Sequence, residues 1–363
     1  MRIPISLKLI IYFLIISILS IFITGKFSFL RTEEALINRT CDQLISVRTE
    51  KEKRLQNFFQ ERVNDINNIS KLEDIQNLIK NTEFFNNAKN SSKNSDYIFG
   101  YLEARKHYLK LTIIDTSFKT LIYDVPEKKI LNRSEKEDFN LYTSICNKLP
   151  DNEQVIADEY YTRNSYFLYI ARKLKVADKF ALLMFEISFE AIDEIMFDNN
   201  IYNGLGKTGE VYPVGKDFLM RSSSRFIENS KFRTLVNTEG VQEALLNRPS
   251  EKLIKDYRGV EVYSAFKKNN FFGLEWVILA EIDKAEAIKP IEDLENNIIY
   301  LSIIISLALA GLVAAISTNI TSPIIKLKQE TEKIYAGEYG RIIDLKYNIY
   351  INIRKFYQFY RFY

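Results

Sequence analysis

The sequence predicts an α+β fold, in which a long N-terminal helix and two antiparallel-sheet modules are flanked by two transmembrane helices. Two charge-free apolar spans, residues 9–25 and 298–325, lie far apart in the chain. Each is long enough to cross about 30 Å of hydrocarbon as a helix. With 47% hydrophobic and 27% charged residues, the chain combines such spans with a folded domain. Between the spans, a similar order of helices and strands occurs twice.

Basic residues near the spans predict the orientation of the chain. Arg2 and Lys8 precede the first span, and three lysines follow the second: Lys326, Lys328 and Lys333. Because basic residues at span ends favour the cytoplasmic side, both termini are expected in the cytoplasm and residues 26–297 outside it. The alternative for residues 9–25 is a cleaved signal peptide, although no small-residue cleavage site follows them.

The segment after the first span predicts a long helix. Residues 31–80 contain no proline or glycine, and residues with three- and four-residue spacing mark one helical face: Leu55, Phe58, Arg62, Ile66 and Ile69. Such a helix is either a dimerising stalk or a spine on which smaller modules pack, so a homodimer through residues 31–80 is expected. The alternative is a pair of shorter helices that break near Asn67 and Asn68.

Two modules with a similar element order follow this spine. In the first module, we expect helices at residues 97–108 and 188–198. A third helix should start at a capping box formed by Ser134 and Glu137 and run toward residue 147. Strands are expected at residues 109–114, 120–124, 154–161, 166–174 and 180–187. In the second, we expect strands at residues 210–214, 218–222, 252–257, 260–266 and 276–282, with a helix at 238–246. A further helix is expected to run from residue 283 into the second span.

Composition and motifs exclude several classes of function. The net charge of +3 without a basic cluster argues against a nucleic-acid partner. The only histidine, His107, lies in the exported part, and we find no Gly-rich nucleotide loop or catalytic set. We therefore expect no enzymatic activity, cofactor or metal site. Cys41 and Cys146 are expected to be free and partly buried, with a Cys41 bridge across a dimer as the alternative.

Several segments carry a family resemblance. They are GKTGEVYPVG at residues 206–215, DYRGVEVYSA at 256–265, LEWVILAEID at 274–283 and FFQERVNDI at 58–66. These resemble the second module and the spine helix of double-Cache (dCache) ectodomains, which occur in chemoreceptors, sensor histidine kinases and nucleotide cyclases. The resemblance covers most of residues 40–290. It implies two PAS-like modules and an extracytoplasmic small-molecule ligand.

In this family the ligand more often occupies the first, membrane-distal module, which implies a candidate site there. The candidate residues are Tyr123, Asp124, Asp158, Tyr161, Arg163, Tyr166 and Arg172. Aromatic rings with one acid and one base would suit a zwitterion or an amine. The amino-acid-binding branch carries a tryptophan in this module, whereas the single tryptophan here, Trp276, lies in the second module. This departure leaves the class of ligand open.

The second module offers a secondary ligand-binding or structural set. Arg221 and Arg225 stand near one strand and could bind a carboxylate, or could form structural ion pairs instead. Tyr212 completes this set, and Trp276 is expected in the core.

The C-terminal region resembles the start of a HAMP linker, a helical signalling element that follows a membrane span. Residues 321–327 read TSPIIKL, and Gly337 and Glu338 follow at the expected distance. The second HAMP helix should come next, but residues 347–363 contain eight aromatic residues and no acidic residue. We expect an aberrant, unstructured tail from a truncated or out-of-frame reading.

Together these features predict a bacterial inner-membrane chemosensory receptor, most like a truncated methyl-accepting chemotaxis protein, with the lipid bilayer and a small molecule as partners. The alternatives are the sensory half of a histidine kinase or cyclase, or a membrane-anchored binding protein without an output. The expected boundaries are residues 1–8 for a cytoplasmic N-terminus, 9–25 for the first transmembrane helix, 26–95 for the spine, 96–190 and 191–297 for the membrane-distal and membrane-proximal modules, 298–320 for the second transmembrane helix, 321–346 for a partial HAMP linker and 347–363 for the tail.

Overall fold

The computed structural model describes residues 5–80, 92–117, 119–133, 143–149, 155–162, 165–197, 204–316 and 322–336. The described residues divide into two compact units. One consists of residues 36–288, and the other combines the residues before 36 with those after 288. The expected tail at 347–363, the capping-box segment and the Gly337–Glu338 turn lie outside the described residues.

The N-terminal helix begins earlier than the sequence predicts, but it does not run unbroken to residue 80. Helix α1 spans Ile5–Ser70 without a break, and α2 follows at Glu73–Lys80. The expectation of one helix over residues 31–80 is therefore wrong. The alternative of two helices is closer, with the break at Lys71 and Leu72 instead of near Asn67 and Asn68. The helix closes with tight turns, since Lys71 N donates to Asn68 O at 3.1 Å and Leu72 N to Ile69 O at 3.1 Å.

The first sheet has six antiparallel strands in the order β3-β2-β1-β6-β5-β4. Their bounds are β1 Tyr108–Asp115, β2 Thr120–Asp124, β3 Lys129–Arg133, β4 Val155–Thr162, β5 Ser165–Val176 and β6 Lys179–Ile187. The five predicted strands are confirmed. Strand β3 is missed by sequence reasoning because it is a short edge strand with only two apolar residues, Ile130 and Leu131.

Helices of the first module start or stop differently from the prediction. Helix α3 spans Ser92–Glu103 rather than 97–108. It ends early because Lys106 and His107 adopt left-handed backbone conformations (φ 34° and 69°), which no helix continues through. Residues 143–148 are helical, and α4 spans Glu190–Met196, within the range expected for the connecting helix.

The second sheet has four antiparallel strands in the order β7-β10-β9-β8. Their bounds are β7 Glu210–Val214, β8 Ser250–Lys255, β9 Glu261–Phe271 and β10 Leu274–Asp283, and helix α5 spans Glu239–Leu245. The strand expected at 218–222 is wrong: this stretch makes only isolated bridges, Val214 to Met220 and Leu219 to Leu235. Phe218 has φ 62°, which interrupts extended pairing.

One face of α1 forms part of the core beneath both sheets. Phe59 stacks on Phe271 of the second sheet at 5.0 Å between ring centroids and meets Trp276 edge-on at 5.9 Å. Further along the same helix, Asp65 accepts a hydrogen bond from Tyr108 Oη of the first sheet at 2.8 Å. Leu55 and Phe59 are fully buried. The predicted spine is therefore a packing partner for both modules.

Helix α6, Lys284–Ile316, begins directly after β10, and α7 spans Ser322–Tyr335. The prediction that a helix continues from the last strand is confirmed. Helices α1 and α6 each contain an apolar window long enough to cross a membrane, and these windows are 0% and 6% buried. Both are candidate membrane spans. Cys41 is free, both Cys41 and Cys146 are half-buried as expected, and Trp276 is fully buried.

We expect Leu55→Ala to reduce the free energy of unfolding by about 3–5 kcal/mol, because it opens a cavity where α1 packs in the core. The matched control is Leu246→Ala, whose side chain is 65% exposed and whose loss should cost less than about 0.5 kcal/mol. Urea unfolding followed by Trp276 fluorescence measures both. Equal losses in the two variants would contradict the role of this α1 face.

Candidate ligand-binding site

The first sheet has one face packed on the helices and one face that carries a row of polar side chains. The helix-packed face contributes Leu111, Ile113, Leu168, Ile170 and Phe185 to the main core. Because side chains alternate along a strand, the neighbouring residues project from the other side, which we call the outer face.

Five polar residues of the outer face are paired directly across five strands. The register joins Asp124 to Lys110, Lys110 to Glu186, Glu186 to Tyr169, and Tyr169 to Asp158. Directly opposed side chains lie about 5 Å apart at their Cβ atoms. The register therefore builds a continuous polar row from β2 to β4.

Glu186 is the most buried acid of this row, with 5% of the residue exposed. Lys110 Nζ lies 3.1 Å from its Oε1, and Tyr160 Oη donates a hydrogen bond to its Oε2. Three aromatic rings surround this pair: Tyr160 lies 5.7 Å from both Phe167 and Tyr169 between centroids. The Glu186 carboxylate thus lies between the Lys110 ammonium group and a cluster of three aromatic rings, which belong to Tyr160, Phe167 and Tyr169.

Asp158 forms the second charged centre of the outer face. Lys148, from the helical segment 143–148, forms an ion pair with it, and Tyr169 Oη donates to Asp158 Oδ2 at 3.4 Å. Burial and the negative charge of Asp158 raise the pKa of Tyr169 far above its ordinary value. Tyr169 therefore stays protonated and remains a donor at physiological pH.

The structure brings only two of the candidates expected in the first module, Asp124 and Asp158, onto the outer face. Tyr123, Tyr161, Tyr166 and Arg172 project from the helix-packed side, because each lies one residue out of phase with the polar row. Arg163 lies outside the described residues. Grouping these residues into one pocket is therefore wrong, although all but Arg163 lie in described strands.

The four residues on the helix-packed side have packing contacts. Tyr123 is buried 5.7 Å from the Phe99 ring, and burial raises its pKa to about 12. Arg172 Nη1 donates to Ser70 Oγ at 3.3 Å at the end of α1. The Tyr166 ring is stacked on Phe232 at 3.7 Å, with Tyr161 beside it at 4.6 Å.

The secondary set predicted in the second module is structural in its contacts. Tyr212 is fully buried and donates to Glu281 at 2.6 Å. Arg225 donates through its backbone N to Glu210 at 3.0 Å and through its side chain to Gly206 O at 3.2 Å. Arg221 is 2% exposed and forms a bidentate ion pair with Glu159 of β4, with Nε at 2.7 Å from Oε2.

Strand β4 therefore contributes side chains both to the outer face of the first sheet and to the ion pair with the second module. Asp158 belongs to the outer face, and its neighbour Glu159 binds Arg221 of the second module. The backbone N of Ala157 also donates to Phe272 O at 2.9 Å. A cleft of about 500 Å³ lies here, lined by charged residues that include Lys148, Asp158, Glu159, Lys216, Arg221 and Glu275.

Sequence reasoning missed Lys110, Tyr160, Phe167, Tyr169 and Glu186. Tyr160 lies two residues after Asp158, so the alternation of side chains along a strand could have predicted that the two share a face. The other four depend on cross-strand register, which the sequence of one strand does not contain.

No protein-family model and no curated protein sequence matches the chain. Among solved structures, the periplasmic sensory domain of the Campylobacter jejuni chemoreceptor Tlp1 is similar, with a TM-score of 0.52 and 13% identity. The match covers 70% of this chain and 99% of that domain. The chain has the fold of that sensory domain. This agrees with the α+β double-module fold that the sequence resemblance implies.

Two other solved domains are similar at lower scores. One is described as the extracellular domain of a histidine kinase, vpHK1S-Z8, with 15% identity, a TM-score of 0.49, and coverage of 71% of this chain and 96% of that one. The other is the ligand-binding domain of the Pseudomonas aeruginosa PAO1 amino acid chemoreceptor PctB in complex with L-Arg, with 15% identity, a TM-score of 0.43, and coverage of 70% and 97%.

We expect Arg221→Ala to destabilise residues 36–288 by about 3–5 kcal/mol, because it leaves Glu159 as a largely buried, uncompensated carboxylate. The matched control is Arg54→Ala, which breaks an exposed pair with Glu50 (side chains 58% and 46% exposed) and should cost at most about 1 kcal/mol. Chemical unfolding measures both. A loss for Arg221→Ala no larger than that of the control would show that the pair contributes little to stability.

Proposed function

We propose that the chain is the sensory part of a transmembrane receptor that binds a small ligand on the outer face of the first sheet. The observation that carries this proposal is the polar row from Asp124 to Asp158, set among aromatic rings on a domain with a sensory-domain fold. Charged and aromatic groups that converge on one face are typical of a small-molecule site. We propose a binding role, without enzymatic activity or a cofactor.

The charges of the outer face favour a ligand that carries both a positive and a negative group. The Asp158 carboxylate can receive an ammonium group, and the Lys148 amine, which pairs with Asp158 in the structure, can then receive an anion. Tyr160, Phe167 and Tyr169 offer ring faces to the positive group. Such a ligand replaces the Lys148–Asp158 ion pair with two new pairs, one between its ammonium group and Asp158 and one between its anionic group and Lys148. The partly buried site therefore stays electrically balanced.

The path for the signal starts at β4. A ligand that separates Lys148 from Asp158 changes the contacts of a strand that also holds Arg221 and the Phe272 turn. Strand β10 follows that turn and leads directly into α6. At the start of α6, Glu286 accepts hydrogen bonds from the backbone N of Lys207 and Thr208 at 2.9 and 2.7 Å. A ligand shifts the balance between the paired and the separated arrangement of Lys148 and Asp158 only as far as it binds these two arrangements with different affinity.

The two candidate membrane spans support a receptor held in a bilayer at both ends of its exported domain. We propose a bacterial inner membrane, with residues 26–297 outside the cytoplasm, and a homodimer that forms along the exposed side of α1. Helix α7 carries Pro323 in its first turn, where proline is favoured, which supports a HAMP-like linker. We propose a chemotaxis output, and a histidine kinase or cyclase output is the competing possibility.

We expect a thermal-shift screen of the full chain against amino acids, amines, organic acids and nucleobases to identify a zwitterionic ligand, because stabilisation grows as RT ln(1 + [L]/Kd). For that ligand, Asp158→Asn should weaken binding by about tenfold or more, since a charge-assisted hydrogen bond contributes about 1.5–3 kcal/mol. Calorimetry measures the dissociation constants.

The control for this experiment is Tyr161→Phe, which removes a hydroxyl on the opposite side of the sheet and should leave the dissociation constant unchanged. If Tyr161→Phe weakens binding and Asp158→Asn does not, the ligand occupies the helix-packed side and the proposed site is wrong. If no compound of these classes raises the unfolding temperature, the proposed ligand chemistry is wrong.

A further inference from the structure

Two buried carboxylates face each other in the second sheet. Glu210 of β7 and Glu281 of β10 are directly paired in the strand register. They are 6% and 3% exposed. Like charges directly opposed across two strands are destabilising, so this pairing needs a physical explanation that the small-ligand site of the first sheet does not provide.

Hydroxyl and amide groups, rather than cations, hydrogen-bond these carboxylates. Glu281 accepts from Tyr212 Oη at 2.6 Å and from Ser264 Oγ at 2.7 Å. Glu210 accepts from Tyr257 Oη at 2.5 Å, Ser224 Oγ at 3.1 Å and the backbone N of Arg225 at 3.0 Å. No described lysine, arginine or histidine forms an ion pair with either glutamate, and an ionised carboxylate buried in this way is costly.

Nearby charges add to this cost at Glu281, whereas the Arg258 charge reduces it at Glu210. Asp256 lies near Glu281, and the Arg258 guanidinium is already bound to Asp256 at 2.6 Å and to Asp283 at 2.5 Å. On α5, Glu239 and Glu243 are paired with Lys252 of β8. The titratable and charged groups around the pair are Tyr212, Arg225, Asp256, Tyr257, Arg258 and Asp283, with Glu239, Glu243 and Lys252 on the packed helix and edge strand.

The packing around Glu281 limits what could neutralise it. Tyr212, Ser264, Phe266 and Leu279 are all fully buried around this face of β10, and Tyr212, Phe266 and Leu279 belong to one tight apolar cluster. Within the described part of the chain, no group of three or more metal-ligating side chains occurs. A proton needs no additional volume and cancels the charge, so it is the ligand that fits.

Burial raises the pKa of Glu281 to about 7, with the Tyr212 and Ser264 hydrogen bonds opposing the rise and the charges of Asp256 and Glu210 adding to it. Burial also raises the pKa of Glu210, against hydrogen bonds from Tyr257, Arg225 and Ser224. The pair therefore favours the protonated form in a range where exposed glutamates are ionised.

We propose that the Glu210–Glu281 pair is a proton-binding site, through which the protein responds to pH as a stimulus separate from its small ligand. The proton comes from water and bonds to one oxygen of Glu281, which then becomes a donor. Either Tyr212 Oη or Ser264 Oγ must then accept instead of donating, and its own hydrogen must find another partner. Glu281 lies two residues before Asp283, where β10 ends and α6 follows.

The full chain in lipid nanodiscs tests this proposal, with Trp276 fluorescence and the infrared band of protonated carboxyl groups recorded from about pH 5 to about pH 9. Wild type should show a transition with a midpoint near the pKa of about 7, and Glu281→Gln should abolish it. Glu275→Gln is the matched control on the same strand. Glu275 pairs with Lys216 and Lys268, so its loss should leave the midpoint unchanged.

Two milder variants keep the test decisive if Glu281→Gln does not fold. Tyr212→Phe and Ser264→Ala each remove one donor to the ionised carboxylate and should move the midpoint upward. Because the native state holds a proton that the unfolded chain releases above about 4.5, the unfolding temperature of wild type should also fall as pH rises toward about 7. A wild-type transition that persists unchanged in all three variants, or a wild-type spectrum without a titrating carboxyl band, would overturn the proposal.

Discussion

The packing of one α1 face against the cores of both sheets is the constraint on which the rest of the structure depends. Phe59 meets the second sheet through Phe271 and Trp276, and from there rings continue through Phe189 and Phe232 to Tyr166 of the first sheet. Each sheet is small, and both contribute residues to one core cluster that includes this face of α1. The helix therefore contributes to the apolar core that the two sheets share.

The period of two along β4 joins the outer face of the first sheet to the second module. Asp158 and Glu159 are neighbours in sequence, yet one contributes to the outer face and the other to the ion pair with Arg221. A strand is stiff along its length, so a change in the contacts of one face alters the position of the other.

Both sheets contain carboxylates with little exposure, but the groups that bind these carboxylates differ. In the first sheet, Glu186 and Asp158 have lysine partners and an aromatic wall. In the second, Glu210 and Glu281 are enclosed, and the described residues that hydrogen-bond them do so through hydroxyl and backbone amide groups. Surroundings rather than residue type decide the chemistry: a buried carboxylate with a lysine partner has its charge compensated, whereas one without a cation favours a proton.

Local patterns in the sequence determined most of the secondary structure: the helical character of residues 31–70, nearly all strands, the helix that follows residue 283, and the buried position of Trp276. These features depend on the spacing of hydrophobic residues over a short stretch of chain, which can be read directly from the sequence. The turn at Lys106 and His107 and the irregular stretch after Phe218 were missed, because left-handed backbone at non-glycine residues is imposed by tertiary contacts. The polar row was only partly visible in the sequence: Asp124 and Asp158 were among the predicted candidates, whereas Lys110, Tyr169 and Glu186 were overlooked. Register across strands decided which side chains share a face, and it joins residues far apart in the chain, so only the tertiary structure could assemble the polar row and bring Glu210 opposite Glu281.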